Sequence, residues 1–171
     1  MSREFYDLNP VSHITADTIG EPGKRTFYLQ ASQQDVLVTL VLEKEQVQAL
    51  AVSIEQMLEE LDKRRPQHAS EMEFISPYDL ALRGPVEPTF RVGQIGLGYD
   101  EDSDMLIIVV QELADTPEER SAARFWASRD QMKALSKHSL EVVQAGRPVC
   151  PLCGRPIDPD GHFCPRRNGH Q

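Results

Sequence analysis

Cys150, Cys153 and Cys164 are the only cysteines of the chain, and His162 and His170 lie beside the last of them. The pattern is Cys-x2-Cys, then ten intervening residues, then a third Cys. That is the spacing of a small zinc site, because Zn²⁺ takes four thiolate or imidazole ligands in a tetrahedron. In Cys150-Pro151-Leu152-Cys153-Gly154 the proline restricts the backbone. The glycine lets backbone N–H groups approach the sulfurs. Cys164-Pro165 with Asn168-Gly169 forms a second, modified turn, and residues 157–161 form the tip between them. The segment reads as a ribbon of turn, strand, tip, strand and turn.

Two residues compete for the fourth ligand position. His170 is favoured, because the Asn168-Gly169 turn folds it back toward the ion. His162 lies two residues before Cys164 and would share its face on a strand. Either choice closes the coordination sphere, so the expected cofactor is a structural Zn²⁺ rather than a catalytic one with an open position. A redox Cys-x2-Cys usually starts a helix, and no helical pattern follows here. Zinc–ligand free energies of ~10–16 kcal/mol suffice to fold so short a segment.

The same segment carries Arg155, Arg166 and Arg167, a compact basic spot and a candidate contact for a partner or an anion. The chain as a whole has 18 Lys+Arg against 27 Asp+Glu, a net charge of −9. The residues before the ribbon hold all of that acidic excess. They would repel a phosphate backbone, so nucleic acid is a candidate for the ribbon alone.

Other patterns yield no chemistry. Gly93-Gln94-Ile95-Gly96-Leu97-Gly98 has the wrong order for a phosphate loop and reads as bulged strand. The acidic run 100–104 lacks the spacing of a calcium loop and reads as a hairpin tip. His13, His68 and His138 are isolated and read as surface or helix-flank residues. There is no Ser/His/Asp set, no paired catalytic carboxylates and no nucleotide fingerprint.

The remainder supplies the scaffold. Residues 1–10 read as an arm or an edge extension. Residues 11–19 and 26–31 read as strands around the Gly20–Gly23 turn. Residues 35–42 alternate Val and Leu on both faces, so this strand is expected at the centre, covered on both sides. Val47, Leu50, Ala51, Ile54, Leu58 and Leu61 place a helix at 43–65, stopped by Pro66. A long connection, 67–88, carries a possible short helix at 76–83. Strands at 89–99 and 105–113 form a hairpin, and another strand spans 122–127. The second helix, 128–146, opens with Ser128 and Gln131 at capping-box spacing. It buries Met132, Leu135, Ser139, Val142 and Val143.

The expected fold class is therefore α+β. An antiparallel or mixed sheet with two main helices fills residues 1–146, with a faint repeat between about 11–65 and 86–146. The zinc ribbon follows at 147–171. No signal-peptide pattern opens the chain and no apolar run approaches ~20 residues, so a cytoplasmic, membrane-free protein is expected.

Three stretches carry a resemblance. They are Phe90–Glu101, Arg124-Phe125-Trp126-Ala127, and above all the tail, with Cys150-Pro151-Leu152-Cys153-Gly154-Arg155-Pro156 and Gly161-His162-Phe163-Cys164-Pro165-Arg166-Arg167-Asn168-Gly169-His170. Across nearly its whole length the chain resembles a bacterial family known only as a domain of unknown function. The resemblance implies a bacterial cytosolic protein and supplies no activity. The functional expectation is a non-catalytic binding or adaptor protein with a protein partner. The alternatives are a small-ligand binder or enzyme with a pocket near residues 67–88, and nucleic-acid binding through the ribbon.

Overall fold

The computed structural model describes residues 3–21, 23–68 and 72–145. The ribbon segment, with Cys150, Cys153, Cys164, His162, His170, Arg155, Arg166 and Arg167, lies outside the described residues.

Seven strands form one mixed sheet. They are β1 (Phe5–Leu8), β2 (His13–Ile19), β3 (Thr26–Gln33), β4 (Val36–Leu42), β5 (Phe90–Asp100), β6 (Met105–Glu112) and β7 (Ala122–Ser128). Helix α1 (Lys44–Arg64) follows β4, and α2 (Arg129–Ala145) follows β7. The order across the sheet is β1-β7-β6-β5-β4-β3-β2. The fold is α+β, and its element order runs β-β-β-α twice after β1. Two pairings are parallel, β4 with β5 and β1 with β7; the others are antiparallel.

β1 and β2 lie at opposite ends of that order yet are separated by only residues 9–12. So short a connection brings the two edges together. Val11 N donates to Trp126 O of β7 at 2.8 Å, and Ser12 N donates to Ser32 O of β3 at 2.8 Å. The sheet thus curls until one bent segment joins both edges, which leaves little open edge for a foreign strand. The opening residues are the joining strand of the sheet, a role their polar composition conceals.

β4 sits inside the sheet, and Val38 through Leu42 are all buried, as its two apolar faces predict. Leu29, Leu40, Leu106, Ile108 and Phe125 are fully buried in one core with Ile54, Met132 and Leu135 from the helices. Both helices begin on a reciprocal cap. Glu43 N donates to Gln46 Oε1 at 2.7 Å, and Ser128 N donates to Gln131 Oε1 at 2.9 Å. Gln131 N returns a bond to Ser128 Oγ at 3.1 Å, completing the capping box. The register of β5 shifts between Val92 and Gln94, so the glycine run is a bulged strand. A Cβ on Gly93 would stand 3.0 Å from Leu113 Cα, which explains the absence of a side chain there.

Candidate functional site

α1 and α2 pack on each other. Ser136 Oγ donates to Ala51 O at 2.7 Å in a buried contact, and Arg129 Nη1 lies 3.6 Å from Asp62 Oδ1. Moving forward along α1 from Ala51 to Asp62 means moving backward along α2 from Ser136 to Arg129, so the helices run antiparallel. Between them opens a groove of about 710 Å³.

Its α1 wall is acidic, and its α2 wall is of mixed sign, with Lys133 and Lys137 flanked by Asp130 and Glu141. Glu55, Glu59 and Asp62 come from successive turns of α1, and Lys133 and Lys137 from successive turns of α2. Leu58, Leu140 and Met72 supply the apolar surface. Glu55, Glu59, Lys133 and Lys137 are exposed and make no ion pair among the described residues. Among the described residues, the ion pair that crosses the walls is that of Arg129 with Asp62.

The end of the groove is built on Arg129, only 4% exposed although it begins a helix. Its Nε donates to Asp104 Oδ1 at 2.9 Å. The Tyr99 hydroxyl donates to the same oxygen at 2.5 Å, and Arg65 Nη1 donates to the Tyr99 oxygen at 2.9 Å. Burial alone would lower the Arg129 pKa, but Tyr99 and Asp104 outweigh it and hold the guanidinium more firmly charged. Burial and the Asp104 carboxylate push the Tyr99 phenol up. Asp104 thus departs from the expectation of a solvated hairpin tip: one residue of the acidic run turns inward to hold a buried cation. Arg129 Nη1 is buried without a hydrogen-bond partner among the described residues.

The head of the long connection is fixed to the start of α2. Asp130 Oδ2 accepts from Gln67 Nε2 at 3.1 Å and from Glu73 N at 2.8 Å, and Ser128 Oγ donates to Glu73 Oε1 at 2.5 Å. These bonds bring Pro66, Gln67 and Met72 to the mouth of the groove.

The rest of that connection has a role that no local pattern in its sequence reveals. It contains a 3-10 turn, Pro77–Leu80, and covers a polar patch of the sheet. Thr15 Oγ1 donates to Leu80 O at 2.6 Å, and His13 Nε2 pairs with Ala81 O at 3.2 Å. Gln30 Nε2 donates to Arg83 O at 2.9 Å while its Oε1 accepts from Arg83 N at 2.7 Å. His13, Thr15 and Gln30 are at most 1% exposed. The expectation of a surface or helix-flank role for His13 is corrected: it is a buried strand residue that latches the connection. Burial, with the Arg83 charge, pushes the imidazole pKa down. Its Nδ1 has no partner among the described residues, and the ring borders a cavity of about 30 Å³ beside Asp79 and Gln131. That space suits about one water molecule, and the bonds to Leu80, Ala81 and Arg83 seal this polar patch of the sheet. His138 does sit on a helix flank, where Nε2 pairs with Asp17 Oδ2 at 3.0 Å.

The described lining of the groove contains no histidine or cysteine, and Ser136 spends its hydroxyl on Ala51 O. Those side chains can bury an apolar surface and match charge of both signs. They include no nucleophile held against a base. No helix among the described residues is long and apolar enough to cross a membrane.

A family model described as "Protein of unknown function (DUF3090)" matches residues 6–164. No curated protein matches the chain, and no solved structure does. The chain belongs to that family, whose description names no activity.

Proposed function

We propose that this member of the DUF3090 family is a non-catalytic binding protein, an adaptor whose body docks its ligand in the groove between α1 and α2. Its C-terminal segment is folded by a structural Zn²⁺ held by Cys150, Cys153, Cys164 and His170, with His162 as the rival fourth ligand. The groove carries this reading. It is concave and partly apolar, and Glu55, Glu59, Lys133 and Lys137 are unspent on each other, which is the make-up of a recognition site. The zinc reading is supported by ligand type and spacing alone. Arg155, Arg166 and Arg167 offer the ribbon a second contact, for an acidic protein surface or nucleic acid.

A small-molecule site is the second reading, favoured by the groove volume of about 710 Å³. Drug-sized ligands occupy roughly 300–1,000 Å³. Thermal-shift screening of the full chain separates the two. One panel holds helical peptides and the other nucleotides and phosphorylated metabolites. The adaptor reading predicts stabilisation by peptides and loss of that stabilisation in Leu140→Trp, which fills the groove. Stabilisation by a metabolite accompanied by its turnover overturns it.

A further inference from the structure

We infer that the groove is shaped for one kind of occupant: an amphipathic α-helix of a partner protein, with acidic residues along one edge and basic residues along the other. This rests on the binding-protein reading and specifies its ligand.

Charge complementarity is the first argument. Glu55 and Glu59 stand one turn apart on α1, and Lys133 and Lys137 one turn apart on α2. Each pair repeats at about 6 Å, the spacing of residues i and i+4 on any helix. All four are exposed and unpaired among the described residues. A helix lying between the walls would turn a basic edge to Glu55 and Glu59 and an acidic edge to Lys133 and Lys137, with a basic residue where that edge reaches Glu141. Leu58, Met72 and Leu140 would meet its apolar stripe.

Backbone accounting is the second argument. Along the middle of the groove both walls are helical, so their own N–H and C=O groups are already bonded there, and the described lining includes no strand residue. An extended peptide would bury its backbone groups there without partners, whereas a helix arrives with them satisfied. Length is the third. The α2 lining runs from Arg129 to Gln144, which is about 22 Å of helix. An occupant of about 15 residues, four turns, matches it.

The test is a displayed library of 15-residue peptides with fixed apolar positions at helical spacing and flanks randomised among Glu, Lys and Gln, selected on the full-length chain. The expected peptides carry Glu on one flank and Lys on the other. Lys133→Glu/Lys137→Glu should weaken them by about tenfold or more, and exchanging the peptide's Glu flank for Lys should restore affinity. Both lysines are exposed, and circular dichroism checks that the variant is folded. Enriched peptides without segregated flanks overturn the inference, as do affinities within about twofold across the reversal. Either result leaves the binding-protein reading standing. Failure to enrich any peptide overturns both, and an oligonucleotide that binds the groove in its place overturns the choice of partner.

Discussion

Arg129 Nε donates to Asp104 Oδ1 at 2.9 Å, which joins the first turn of α2 to the tip of the β5–β6 hairpin. A cation opening a helix faces the wrong end of the macrodipole, so its place needs a counter-charge. Asp104 supplies it. The side chain of Arg129 is 4% exposed and that of Asp104 is 35% exposed. Asp104→Asn should therefore destabilise the fold by about 2–3 kcal/mol, since it strips a buried charge of its nearest partner. Arg129→Lys should cost a similar amount, because an ammonium cannot keep the planar fork. Urea denaturation of both variants measures this, and a loss below about 0.5 kcal/mol in Asp104→Asn would contradict it.

Stability should fall as pH drops below the ordinary histidine range. His13 is lowered from 6.5 in the fold by burial and Arg83. Below pH 6.5 the unfolded chain takes up a proton that the folded chain refuses, so unfolding becomes easier as pH falls toward the folded value. The contribution is fully present above pH 6.5. His13→Gln should flatten the slope below pH 6.5 relative to the wild type. Thermal melts across that window give the comparison, and an unchanged slope would show that His13 is not the titrating group. Asp17 acts in a lower window. Burial would raise its pKa, but His138 and Thr18 N outweigh it and hold the carboxyl down. That stability is lost only as pH falls below about 4.

Gln30 is the main latch of the connection over the sheet, with bonds to both the N–H and the carbonyl of Arg83. Gln30→Ala leaves two backbone groups unpaired and should cost about 2 kcal/mol. The Arg83–Gly84 bond should then be cut by trypsin faster than in the wild type, while cleavage within α1 stays slow. Equal cleavage at Arg83 in both proteins would contradict the latch.

The zinc proposal has a stoichiometric consequence. Elemental analysis of the purified chain should give one zinc per molecule, and Cys150→Ser should lose it together with amide protection after residue 146. A metal-free chain whose tail is nonetheless protected from exchange would contradict the ligand assignment.

Patterning made the elements legible. The alternation in β4, the α1 stripe and the Ser128–Gln131 box each name a structure through a local rule, and each recurs in the fold. The groove was not legible, because it depends on how far apart two antiparallel helices stand, and no local pattern encodes that. The sequence pointed to a pocket at the connection 67–88, and only the head of that connection lines the groove. His13, Thr15 and Gln30 show the second limit. Polar residues in a strand read as a solvent face, yet here they meet backbone carbonyls from more than 50 residues away. Arg129 shows the third, since its burial rests on a carboxylate 25 residues earlier in the chain.

The place where a ligand binds is the most direct test of the α1–α2 groove. Hydrogen exchange of the full-length chain, with and without a display-selected helical peptide, measures that. Added protection is expected in residues 55–66 and 129–144. Protection confined elsewhere would contradict it, for example on β7 around Trp126, whose Nε1 donates to Asp7 Oδ1 at 2.8 Å.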